Sequence, residues 1–126
     1  MDSGTGAARP LSEDEAGVLA ALLAQDFPGA AQLREQAEHV LAAPGCGCGC
    51  GTITLHVTDA GAPRARTLDA YPASADYGAP GEGGVVTLVT AGGLLAELRL
   101  SWWGERPTPM PRPADLEHLW CAAAGG

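Results

Sequence analysis

The strongest constraint on the fold is an alternation of apolar and polar side chains between residues 85 and 102. Residues 85–90 are rich in β-branched side chains, and Ala91-Gly92-Gly93 follows as a tight turn whose glycines accept positive φ. The next segment places one set of residues inward, namely Leu94, Ala96, Leu98, Leu100 and Trp102, and another outward, namely Glu97, Arg99 and Ser101. This period of two predicts an antiparallel β-hairpin with one buried face.

One further strand is predicted upstream of this hairpin. Residues 52–58 alternate strictly, with Ile53, Leu55 and Val57 on the buried side. Residues 59–83 are rich in glycine, proline, alanine and aspartate, a composition typical of a long loop.

The amino-terminal part carries two helical patterns. Ser12 and Glu15 match a capping box, and apolar residues then recur at helical spacing, which predicts a helix over about residues 13–25. Asp26 is positioned to cap a second helix that ends at the proline in position 44. A short turn between two amphipathic helices predicts a helical hairpin.

The carboxyl-terminal part begins with an extended segment. Prolines occupy every second position from Pro107 to Pro113, which forbids a helix and predicts a Pro-rich strap. Pro113 is itself a favoured first residue of a helix, and Leu116, Leu119 and Trp120 would form its apolar face. A short C-terminal helix is therefore predicted.

Together these elements predict an α+β fold. A helical hairpin packs on a small three-stranded, mainly antiparallel sheet, which the strap and the C-terminal helix close. The single domain is expected to span residues 11–121, with a disordered tail at residues 1–10 and a frayed end at residues 122–126.

The charge balance limits the partners that the chain can bind. Its 126 residues include 15 acidic and 7 basic residues, a formal net charge of −8 at pH 7. Such a chain repels phosphate backbones and anionic membrane surfaces, so neither nucleic acid nor membrane is an expected partner. Residues 1–10 lack the apolar core of a signal peptide, and no segment reaches the length of a membrane span, so a cytoplasmic location is expected.

A cysteine–glycine run is the feature with the most chemistry. Three of the four cysteines, Cys46, Cys48 and Cys50, alternate with glycines within five positions. In a reducing compartment, clustered thiols indicate a metal or redox group rather than structural disulfides. Soft thiolates favour Zn(II) or Cu(I), which makes the three cysteines candidate metal ligands.

The spacing of the run sets conditions on such a site. In an extended strand Cys46 and Cys50 lie about 13 Å apart, so three sulfur atoms reach one ion only if the run curls, which its glycines permit. His56 is the best-placed imidazole for a fourth ligand, and His39 and Cys121 are alternatives. Common zinc modules instead use two ligand pairs held apart by a loop.

Two other roles of the cysteines stay open. Free cysteine is among the most buried residue types, and small Cys and Gly residues allow close packing, so the run could be structural. A Cys-Gly-Cys dithiol could also switch to a strained, easily reduced disulfide.

A pair of tryptophans suggests a different kind of site. Adjacent strand residues point to opposite faces, so Trp102 is expected in the core and Trp103 on the other face. An exposed Trp103 beside the strap is a candidate anchor for a protein partner, and the alternative is that the strap or the last helix covers it.

Several of these segments resemble a known family. They are Asp26-Phe27-Pro28-Gly29, Leu33-Arg34, Gln36, the cysteine–glycine run leading into Thr52-Ile53-Thr54-Leu55, the Gly92-Gly93-Leu94 turn, and Trp103-Gly104-Glu105 before the prolines. Over roughly residues 18–113 the chain resembles a family of small uncharacterised bacterial proteins, mainly actinobacterial, with a Cys-Gly-Cys-Gly-Cys motif. The family has no assigned activity, so the resemblance implies no catalytic residue.

These observations support two functional hypotheses of nearly equal weight. The first is a small cytosolic, non-enzymatic protein whose cysteine run binds a soft metal, Zn or Cu(I), or acts through its thiols. The alternative is a metal-free protein-interaction module, an immunity-like or regulatory partner, in which the cysteines are structural. In that module Trp103, the strap and an acidic surface bind another protein or a second copy. An enzyme is the third and least favoured class.

Overall fold

Strands make up most of the regular secondary structure in the described chain. The computed structural model describes residues 8–45, 51–59, 61–66, 70–78 and 83–121. Within these ranges the helices are α1 (Glu13–Leu23) and α2 (Ala30–Gln36), and 3₁₀ turns span Ala37–His39 and Pro113–Asp115. The strands are β1 (Arg9–Pro10), β2 (Val40–Pro44), β3 (Ile53–Val57), β4 (Ala73–Tyr77), β5 (Gly84–Ala91), β6 (Leu94–Trp102) and β7 (Leu116–Cys121).

All seven strands belong to one antiparallel sheet. Their order across the sheet is β1-β2-β3-β6-β5-β4-β7. The predicted fold class, an α+β domain with a helical hairpin, three strands and a C-terminal helix, is therefore wrong. The described chain is mostly β, and its two helices are short.

The sequence predicts the wrong secondary structure for three segments, and strand pairing explains each error. Val40 and Leu41, read as part of the second helix, belong to β2 because they pair with β3. Residues 59–83, read as a loop, contain β4, which pairs with β5 although it lacks β-branched residues. Residues 116–121, read as the C-terminal helix, form β7 because they pair with β4. In each case a long-range partner overrides the local helix or loop signal.

The hairpin of β5 and β6 is confirmed. The two strands pair from Gly84↔Trp102 to Ala91↔Leu94, and Gly92 and Gly93 turn the chain with φ of 59° and 83°. A bulge between Val89 and Thr90 shifts the register close to this turn.

The start of α1 is fixed by its own side chains and by β1. The predicted capping box is confirmed, since Glu15 N–H donates to Ser12 Oγ at 3.1 Å and Ser12 N–H donates to Glu15 Oε1 at 2.8 Å. Both terminal nitrogens of Arg9 donate to the Glu15 carboxylate at 2.8 Å. Residues 9–10, which the sequence placed in the tail, pair with β2, while residues 1–7 and 122–126 lie outside the described chain.

The core lies between the helices and one face of the sheet. Its fully or almost fully buried members come from both layers and include Val18, Leu19, Leu22, Leu33, Ile53, Leu55, Ala73, Ala75, Val86, Leu88, Leu98 and Leu100. In the strands these residues are two apart, so the residues between them point to the opposite face.

The seam between β3 and β6 is short and is completed by side chains. Only Ile53↔Leu98 and Thr54↔Glu97 pair across it in the described chain. At one end Leu100 N–H donates to the hydroxyl of buried Thr52 at 2.9 Å. The seam matters because it joins the β1-β2-β3 half of the sheet to the β6-β5-β4-β7 half.

Gln36 completes the other end of this seam. Its side chain has no exposed surface, and its Oε1 accepts from Leu95 N–H at 2.8 Å. Its Nε2 donates to the carbonyls of Pro63 and Gly93, each at 2.8 Å. One amide therefore connects α2, the segment before β4 and the β5–β6 turn.

We expect Gln36→Leu to lower the free energy of unfolding by about 3 kcal/mol, because it removes the partner of the buried Leu95 N–H and the side-chain hydrogen bonds to Pro63 O and Gly93 O. Gln32→Leu is the matched control, since Gln32 lies one turn earlier in α2 and is half-buried. Denaturant unfolding measures both. Equal stabilities of the two variants would contradict the role of the Gln36 amide.

Glu15 predicts a dependence of stability on pH. Its hydrogen bonds with Arg9 are the main reason that the pKa of this carboxyl lies below its ordinary value in the folded chain. The ion pair is therefore fully stabilising above the unfolded pKa of about 4.3, and its contribution is lost as the pH falls through the folded value. Glutamine can still accept the capping-box hydrogen bond from Ser12 N–H, so Glu15→Gln tests the contribution of the negative charge alone.

We expect Glu15→Gln to cost about 1 kcal/mol at pH 7 and much less at pH 3, as measured by denaturant unfolding at both values. Glu13→Gln, an exposed first-turn residue, is the control. A stability difference that stays constant from pH 7 to pH 3 would rule out the charge as its source.

Candidate binding face

The face of the sheet that points away from the helices is open in the described part of the chain. We call it the open face, and its residues are Thr54, His56, Ser74, Asp76, Val85, Thr87, Val89, Glu97, Arg99, Ser101, Glu117 and Trp120. All of them are half-buried or exposed. The open face is therefore a surface of mixed polar and apolar character.

Trp103 lies at one corner of this face. It follows the last residue of β6, and its N–H donates to Gly83 O at 2.9 Å, which continues the ladder by one position. The alternation along β6 places it on the same side as Ser101, and 57% of its surface is exposed. Gly84 allows this close pairing, since a Cβ there would lie 2.8 Å from the Cα of Trp102.

A second tryptophan lies on the same face, and the sequence did not predict it. Trp120 of β7 is directly opposite Ser74 of β4 and is 51% exposed. A bulge precedes it, with His118 at a φ of 48°. The sequence offered the proline in position 113 as a helix start, and this signal hid the strand that carries Trp120.

The two tryptophans are far apart. Trp103 lies opposite Gly83, next to the start of β5. Trp120 lies opposite Ser74 of β4, and Ser74 in turn lies opposite Thr87 of β5. Three strand spacings and four residues along a strand separate them, which corresponds to about 20 Å. A single small molecule does not span that distance, whereas a protein surface does.

Carboxylates lie between and beside the tryptophans. Asp76 is directly opposite Glu117, an arrangement of like charges that costs stability in an antiparallel pair. His118 Nδ1 lies 3.2 Å from Asp76 Oδ2.

The one arginine of the open face is held by its neighbours. Arg99 Nε donates to Glu97 Oε1 at 2.9 Å, and its guanidinium lies 5.7 Å from the centre of the Tyr71 ring. A hydrogen bond with Tyr71, followed by the charge of Glu97, raises the pKa of Arg99 above its ordinary value. This part of the face is therefore ordered and locally neutral.

The predicted metal ligands Cys46, Cys48 and Cys50 lie outside the described residues. The chain on either side is fixed, since Gly45 N–H donates to Thr52 O at 3.0 Å and Gly51 N–H donates to Thr108 O at 2.8 Å. The second bond attaches the end of the run to the Pro-rich strap. Residues 107–112 of the strap have no regular secondary structure, as their prolines predict.

Of the other predicted ligands, the structure places Cys121 far from the two histidines. His56 is exposed on the open face, and its Nε2 lies 3.0 Å from Thr54 Oγ1. Cys121 is on β7, four strand spacings or about 19 Å from β3, with its Sγ 3.7 Å from Asp26 O. His39 ends the 3₁₀ turn before β2. Among the described residues, no three His, Cys, Asp or Glu side chains form a group that could hold a metal ion.

Comparison with known proteins adds no assignment. The chain matches no protein-family model, no curated protein and no solved structure. The resemblance to the actinobacterial family stays a prediction. Within the described ranges, none of the helices has the length and apolar character needed to cross a membrane.

The metal hypothesis for the cysteine run makes a direct prediction. If the run binds a soft metal, protein purified under reducing conditions carries stoichiometric Zn or Cu(I), and the metal protects its thiols from a thiol reagent. Cys48→Ser would remove the metal, whereas Cys121→Ser would retain it. Elemental analysis with thiol counting measures this, and full thiol reactivity in the presence of added Zn and Cu(I) would exclude the site.

Proposed function

We propose that this protein is a non-enzymatic interaction module that binds a basic protein partner through the open face. The observation that carries the proposal is the pair Trp103 and Trp120, each more than half exposed on the face opposite the helices. Tryptophan is the residue type most enriched among side chains that dominate binding energy at protein interfaces.

The size of the surface favours a protein over a small molecule. The tryptophans are about 20 Å apart by strand geometry. A standard interface buries about 800 Å² on each partner, a patch about 28 Å across. Two anchors at that separation therefore fit within one protein interface.

The charge of the surface favours a basic partner. The chain carries 15 acidic and 7 basic residues, and the arginine of the open face is already paired with Glu97. The Asp76–Glu117 arrangement is destabilising in the isolated sheet, and a cation from a partner would relieve it. Complementary charge of this kind also accelerates association.

Two expectations from the sequence accompany this proposal. We propose a cytoplasmic location, supported by three closely spaced cysteines of a type common where thiols stay reduced. We also retain membership of the actinobacterial family as a proposal, supported by the motifs that carry the resemblance. A role for the cysteine run in metal or thiol chemistry is compatible with both.

The proposed function is tested by capture followed by reconstitution. Tagged full-length protein retains proteins from a lysate of the organism that encodes it, and each retained protein is then purified and titrated alone. We expect one basic protein to bind, with Trp103→Ala and Trp120→Ala each weakening its affinity by about tenfold or more. We also expect the affinity to fall as salt is raised from low to physiological ionic strength.

The controls separate binding from folding. Glu13→Gln changes an exposed residue of α1, on the helical side of the sheet, and should leave the affinity unchanged. The free energy of unfolding of each tryptophan variant should lie within about 0.5 kcal/mol of that of the natural chain, because more than half of each tryptophan is exposed. An acidic partner, or a basic one that tolerates both alanine variants, would refute the proposal.

A further inference from the structure

The outer edge of β7 has the properties of a strand-pairing site. β7 is the last strand of the sheet, and in the described chain no strand pairs with its other side. Such an edge presents backbone N–H and C=O groups that can extend the ladder to an added strand. Peptide recognition by strand addition uses edges of this kind.

The two edges of the sheet differ in how they are protected. At the opposite edge β1 has only two residues, and one of them, Pro10, has no N–H to donate. β7 has six residues, with neither proline nor lysine, and its protection consists of the bulge at His118. Strand addition is therefore less hindered at β7 than at β1.

The side chains of β7 are unusual for an edge that faces only water. Leu119 is 44% exposed and Trp120 is 51% exposed. Natural edge strands generally avoid adjacent large apolar side chains because these promote association. Their presence here is explained if another chain covers them.

The edge is also held in place by the fold. Gln25 Nε2, at the end of α1, donates to Trp120 O at 3.0 Å. The thiol of Cys121 lies 3.7 Å from Asp26 O. These contacts position the end of β7 before any partner arrives, which reduces the entropy cost of pairing.

Charge identifies the occupant. Asp76 and Glu117 face each other at this edge, whereas Asp115, which precedes the strand, is already paired with Arg112. A second copy of the chain would bring another net charge of −8 to the same edge, so repulsion disfavours it. An extended segment with basic residues at alternate positions is complementary to this edge.

We infer that the partner contributes an extended, arginine- or lysine-bearing segment that adds to β7 as an eighth strand. Its apolar side chains pack on Leu119, and its basic side chains lie on the open face, where they meet Trp120, Asp76 and Glu117. This inference rests on the proposed function and specifies how the partner binds. It also brings the added strand beside the row that contains Trp120, so that the open face and the edge form one surface.

The test uses defined peptides and the full-length protein. The probe is an eight-residue peptide of alternating valine and arginine, and the matched peptides replace arginine by glutamate or carry N-methyl groups at alternate residues. We expect the valine–arginine peptide to bind and the valine–glutamate peptide not to bind. N-methylation should weaken binding by about tenfold or more, because it removes ladder donors.

Two further measurements locate the binding. Trp120→Ala should weaken binding of the valine–arginine peptide by about tenfold, and Glu13→Gln should not change it. Hydrogen exchange of the backbone amides should slow within residues 116–121 when the peptide is bound. Equal binding of the N-methylated peptide, or unchanged exchange in β7, would overturn the inference.

The remaining outcomes separate this inference from the proposed function. If sedimentation shows a dimer that Leu119→Lys dissociates, a second copy occupies the edge and the inference fails. If a basic partner binds in a Trp103-dependent manner without slowing exchange in β7, the inference fails and the proposed function stands. If neither Trp103→Ala nor Trp120→Ala changes the affinity of the purified partner, the proposed function fails, regardless of the results with the peptides.

Discussion

The buried amide of Gln36 is the interaction on which the rest of the structure depends. It satisfies one backbone donor and two backbone acceptors that come from three different segments. Removing the partner of a buried backbone group costs the desolvation free energy of that group. The position of α2 on the sheet, the course of the segment before β4 and the end of the β5–β6 hairpin are therefore fixed together.

This arrangement explains how a sheet with so short a central seam holds together. Two residue pairs join β3 to β6, and the hydroxyl of Thr52 and the amide of Gln36 complete the hydrogen bonding at the two ends. The helices then cover the core side across both halves of the sheet. The opposite side is left for polar residues and two tryptophans, which is how the fold creates its candidate binding face.

The sequence predicted what depends on local pattern and missed what depends on distant partners. The β5–β6 hairpin and the capping box of α1 follow from alternation and spacing, and both are present. β4 and β7 were missed because Ala73–Tyr77 has little strand propensity and because Pro113 resembles a helix start. Each becomes a strand only when its neighbour in the sheet is known.

In the candidate site, too, local pattern predicts one part and long-range strand pairing determines the other. Strand alternation was enough to place Trp103 on the polar side of β6, whereas Trp120 joined it only through the pairing of β7 with β4. The predicted cysteine ligands lie outside the described residues.

One backbone hydrogen bond joins the end of the cysteine run to the strap. Gly51, at the end of the cysteine run, donates to Thr108 in the strap that begins four residues after Trp103. A metal or an oxidant that moved Gly51 would shift the strap. It would also shift the corner of the open face where Trp103 lies. By thermodynamic reciprocity, a partner that prefers one position of that corner would alter metal affinity by the same factor. Thiol chemistry and partner choice would then act as a single allosteric unit.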